Sequence, residues 1–196
     1  MTRPLTPAEA AHGTAPQKDL WKPVLLRAIA ALVFGAVTIF WAAPSVEVMA
    51  WAGGIYLLAT GILVLWGVPK AGFRREDGPG KLFSAAGLIL AGTGVALLLL
   101  HGDLLFGIIA SLGLGLAGLI ELLCGLRNRR GHVLARDWLA SGVIGIGTAA
   151  AIPFFISLGA HALLGVAGGG AIIAGVLWVL SALTLRHDAR AAVVKP

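Results

Sequence analysis

Apolar residues run along this chain in six blocks, at about Val24–Ala43, Val48–Val68, Leu82–Leu100, Leu104–Leu126, Trp138–Leu158 and Ala162–Leu185. Each is close to the ~20 residues that a helix needs to cross a bilayer. Few charges interrupt the blocks, so the pattern predicts an all-α integral membrane protein with six transmembrane helices.

The breaks between blocks are of two kinds. Arg3, Lys18, Lys22 and Arg27 precede or open the first block. Lys70, Arg74, Arg75 and Lys81 follow the second, Arg127, Arg129, Arg130 and Arg136 follow the fourth, and Arg186, Arg190 and Lys195 follow the sixth. That accounts for all 15 Lys and Arg residues, and the turns around Pro44, Gly102 and Gly159 hold none. Short basic loops stay in the cytoplasm, so both termini are expected there and the three tight turns outside. Residues 1–20, with Pro4, Pro7 and Pro16, read as a disordered cytoplasmic tail, residues 21–186 as one membrane domain, and residues 187–196 as a short cytoplasmic tail.

Composition narrows the function. Charged residues are 12% of the chain, where a soluble domain carries about 25%. The net charge of +6 is divided among juxtamembrane segments, which fits anionic lipid head groups at the cytoplasmic face and not nucleic acid. The single cysteine, Cys124, lies in an apolar block, which rules out a disulfide framework or a thiolate cluster. No metal site and no cofactor are expected.

The blocks repeat. Gly61, Gly118 and Gly175 lie 57 residues apart, as do Gly54, Ser111 and Gly168, then Gly35, Gly92 and Ala149, and then Arg27, Ser84 and Ser141. Three tandem helical hairpins (21–68, 82–126 and 137–185) follow from that register. Two crossings per unit give every copy the same orientation, hence a pseudo-threefold axis along the membrane normal. The chain has 28 glycines; in lipid, small residues let helix backbones approach closely. Gly35, Gly54, Gly61, Gly92, Ser111, Gly118, Gly168 and Gly175 are therefore expected to be helix-packing positions, with Gly168–Gly170 alternatively a point of unwinding. Pro153 predicts a kink near the outer end of the fifth helix. Trp21, Trp41, Trp51, Trp66 and Trp138 read as interfacial anchors, with Trp178 deeper.

Chemistry-bearing groups are few. Arg27 and Glu121 lie at similar depth inside the inner ends of the first and fourth helices, a candidate intramembrane ion pair, and intramembrane charge marks a functional site by default. Arg27 could instead snorkel to head groups while Glu121 meets Arg127 or Arg129. Glu47, Asp103 and His161, one from each outer turn, form a candidate pH-responsive set. His161 has no ligand-spaced partner for a metal. No metalloprotease, P-loop or nucleophile-elbow signature is present. Gly113, Gly115 and Gly118 spell a dinucleotide fingerprint inside a membrane helix, where they are packing residues.

Trp21, the segment Leu25–Gly35 with Arg27 eight positions before Gly35, and then Phe40, Trp41 and Pro44 resemble the first hairpin of the HdeD-like bacterial membrane proteins. The likeness extends over about Trp21–Arg186. It departs at Ala28, where a glycine commonly follows the arginine, and at Ser84 and Ser141, which replace arginine in the later copies. The resemblance implies six helices in repeated hairpins and a role in acid or envelope-stress tolerance in a bacterial inner membrane. Two function classes stay open. One is a non-enzymatic protein that stabilises the membrane or docks a partner, with a homo-oligomer or another membrane protein as the partner. The other is a small proton or solute conduit through the bundle interior, using Arg27, Glu121, Thr38, Thr60, Thr93 and Thr148.

Overall fold

The computed structural model describes residues 19–74 and 76–194; the expected N-terminal tail lies almost wholly outside them. The described residues form helices and no strands: α1 (Trp21–Phe40), α2 (Val46–Lys70), α3 (Gly78–Leu99), α4 (Asp103–Arg127), α5 (Ala135–Ala151) and α6 (Ala160–Val194), with a 3₁₀ segment at Ile152–Leu158. Six helical segments, one of them α5 with its 3₁₀ continuation, are long and apolar enough to cross a membrane, as a multi-pass membrane protein requires. The starts of α1, α3 and α5 (21, 78 and 135) and of α2, α4 and α6 (46, 103 and 160) keep the 57-residue spacing.

Each helix packs on its sequence neighbours, and α6 closes on α1. The broadest interfaces are α2–α3, α4–α5 and α6–α1, so each expected hairpin is gripped more firmly by the next than by its own partner helix. Glycine explains the grip. A Cβ on Gly61 would come within 2.4 Å of the Ala91 nitrogen, and one on Gly94 within 2.4 Å of the Leu58 nitrogen. Gly118 faces the Gly142 carbonyl, and Gly175 faces Leu32 and Ala31. With no hydrophobic effect between helices in lipid, such backbone-to-backbone approach supplies the dispersion energy of association.

Gly92 departs from this pattern: nothing lies within 4 Å of its Cβ position. On α3 the residues that meet Gly61 and Gly54 are Gly87 and Gly94, a helical face that leaves Gly92 outside. The Gly168–Gly170 run remains helical, with Gly168 seated on Thr38 and Gly170 on Thr148. Ser111 keeps a buried hydroxyl without a hydrogen-bond partner.

Boundaries differ from the sequence pattern in three places. α6 continues unbroken to Val194, so the described part of the expected tail at 187–196 is helical. Ala189, Arg190, Ala191 and Ala192 favour helix, and no Gly or Pro stops them before Pro196. α5 starts at Ala135, three residues before its apolar block, which places Trp138 in the first turn facing inward. Trp138 is therefore buried among Phe73, Phe83 and His132 and is no interfacial anchor, whereas Trp41, Trp51 and Trp66 are exposed. At Pro153 the α-helix gives way to the 3₁₀ segment, which ends at Gly159 with φ 82°, a conformation that favours glycine.

Candidate functional site: a buried ion pair between two cavities

Arg27 on α1 and Glu121 on α4 point into the bundle and form an ion pair, Arg27 Nη2 to Glu121 Oε1 at 2.5 Å. Their side chains are 17% and 4% exposed, so Arg27 does not snorkel and Glu121 does not turn to the arginines at the end of α4. Ser141 on α5 donates its hydroxyl to Glu121 Oε2, the other carboxylate oxygen. The Arg27 guanidinium also lies over the buried Trp178 ring of α6, 4.7 Å from its centroid. Four helices meet at one cluster, in which the two opposite charges neutralise each other.

The 57-residue spacing runs through this cluster: Arg27 and Ser141 lie two such intervals apart, and Glu121 and Trp178 one. Ser141 as the second partner of Glu121, and Trp178 as the platform for Arg27, were missed in the sequence, although the spacing of 121 and 178 was available there. Ser84, midway between Arg27 and Ser141 in that spacing, has a buried hydroxyl with no partner. Ser141→Ala should therefore cost about 1.5–3 kcal/mol, as for a hydrogen bond to a charged group, and Ser84→Ala close to nothing, as thermal unfolding of the two purified variants would reveal.

Arg27 borders two cavities of about 50 Å³ each. The inner one, at the basic end, is otherwise apolar, and Ala71, Phe73, Phe83, Leu134 and Trp138 are part of its lining. The central one is lined by Tyr56, Thr60, Thr148, Glu121 and Ser141. Thr60 and Thr148 donate to the carbonyls of Tyr56 and Ile144 on their own helices, so their hydroxyl protons are already engaged. Thr38 and Thr93 do the same towards Gly35 and Ile89 and pack on Gly168 and Gly113, away from the central cavity. The expected polar set thus divides into two cavity residues and two helix-packing residues.

Beyond the central cavity the bundle interior is packed with apolar side chains. Met49, Leu97, Phe106, Ile152, Leu163 and Leu164 are at most 2% exposed and fill the end opposite the basic loops. At that end Glu47 and His161 are exposed, and Asp103 is half-buried with Oδ1 lacking a partner. No ion pair joins the three among the described residues. The Glu47 carboxylate accepts hydrogen bonds from Ser45 and from its own backbone, with a smaller electrostatic contribution from His101, a fourth ionisable group in these turns. Among the described residues no group of three or more His, Cys, Asp or Glu could hold a metal ion. No protein-family profile, curated protein or solved structure matches the chain.

Proposed function

We propose that this chain is a non-enzymatic protein of a bacterial inner membrane that contributes to acid or envelope-stress resistance as a closed, stabilising bundle or partner-docking platform. The observation that carries the non-conducting part is the apolar plug at the end opposite the basic loops, which leaves the Arg27–Glu121–Ser141 cluster without a polar route across. The stress role rests on the sequence resemblance in the first hairpin. The distribution of Lys and Arg supports a cytoplasmic position for the basic end, within reach of anionic head groups. The 57-residue spacing of the helix starts supports three tandem hairpins about a pseudo-threefold axis.

A second reading, a proton or solute conduit, draws on the central cavity, where Glu121 meets Tyr56, Thr60 and Thr148. It requires the opposite end to open, where the ionisable groups Glu47, Asp103 and His161 sit in the first turns of α2, α4 and α6 and apolar side chains fill the interior. Survival after an acid challenge separates the protective role from no role. Cells expressing the chain should outlive vector controls at about pH 4, where exposed carboxylates titrate, and equal survival at matched expression would remove the stress assignment.

A further inference from the structure

The turn between α4 and α5 is fastened to the end of α2 through one imidazole. α2 ends in a Schellman motif, Gly72 N–H to the Pro69 carbonyl and Phe73 N–H to the Val68 carbonyl, with Gly72 at φ 82°. This brings the Phe73 ring back over the bundle. His132 lies against it with centroids 5.2 Å apart, and its other neighbour is Trp138 at 4.3 Å. His132 Nδ1 accepts from the Leu134 N–H at 3.1 Å, just before α5. A backbone N–H can only donate, so Nδ1 is unprotonated, and Nε2 carries the proton it donates to the Ala71 carbonyl at 3.0 Å. One neutral tautomer satisfies both contacts.

We propose that His132 is a proton-binding site at the basic end of the bundle: its neutral imidazole pins the 128–134 turn to the end of α2, and protonation releases that turn. A proton on Nδ1 would face the Leu134 N–H, donor against donor, so the imidazolium cannot keep its seat. Ala71, Phe73 and Trp138 would each attract a cation, and they act against release. Burial outweighs the Ala71 hydrogen bond and pushes the His132 pKa below its ordinary 6.5. Ala71, Phe73, Leu134 and Trp138, the groups packed on the ring, carry no charge, and no described charged side chain contributes to the shift. With the folded value depressed, the docking energy is fully present above about pH 6.5 and is lost as pH falls through the folded value.

Ala71, Phe73, Leu134 and Trp138 also line the cavity that touches Arg27. Hydrogen–deuterium exchange of the protein in nanodiscs at about pH 7.5 and about pH 5, either side of the ordinary imidazole value, tests the release of the turn after correction for intrinsic exchange. Wild type should exchange severalfold faster at the lower pH in the 71–77 and 128–134 turns, with the middle of α4 unchanged. His132→Phe, which keeps a ring in the stack, should exchange fast at both pH values. Equal wild-type exchange at the two pH values, or a pH response that persists in His132→Phe, would overturn the proposal.

Discussion

Glu121→Gln should lose about 3–5 kcal/mol of stability, because it leaves the Arg27 guanidinium buried without a counter-charge. The neutral amide can still take the Ser141 hydroxyl, so most of the loss belongs to the unpaired arginine. Arg27→Leu should cost a similar amount by stranding the carboxylate. The double variant Arg27→Leu/Glu121→Leu should recover most of either loss, since a buried pair is often replaceable by well-packed apolar side chains. Denaturant or thermal unfolding in one detergent, run as a double-mutant cycle, gives the coupling directly. Single variants as stable as wild type would mean that water reaches the pair.

The second large effect is expected at the glycine seams. Gly61→Ala places a methyl group 2.4 Å from the Ala91 nitrogen and 2.5 Å from the Gly87 carbonyl oxygen, both backbone atoms on α3. Neither can rotate away, so α2 and α3 must separate along their broadest contact. The cost should be at least ~1–3 kcal/mol, the range for overpacking. Gly92→Ala is the matched control, with nothing within 4 Å of the new methyl group; it should be neutral or gain ~0.5–1 kcal/mol through helix propensity. Unfolding midpoints of the two alanine variants in parallel decide the point. Equal effects would show that glycine content, and not the seam, sets stability.

These contrasts mark what the sequence makes legible. Spacing alone locates Gly61, Gly118 and Gly175 and the six helices, because hydropathy and small-residue periodicity act over whole blocks. It misplaces Gly92, because which residues of α3 face α2 depends on how the helix is turned about its axis, and a fixed offset does not record that. Arg27 and Glu121 stand out as charges in apolar blocks, but their partners Ser141 and Trp178 are ordinary residues for a membrane helix. Only the folded register brings them together. Trp138 misleads for a related reason: position near a helix end suggests an anchor, while the early start of α5 turns the ring inward. His132 carries no signal in one dimension, since its role needs a Schellman turn 61 residues away in sequence.

Proton flux into liposomes containing the purified protein, with external pH at about 7 and about 4, spanning the range where carboxylates titrate, tests the closed-bundle account most directly. A closed bundle gives rates no higher than in protein-free vesicles at either pH, with the protein verified as folded. Flux above that background in wild type, abolished in a folded Arg27→Leu/Glu121→Leu variant, would contradict it and make the buried pair part of a conduit.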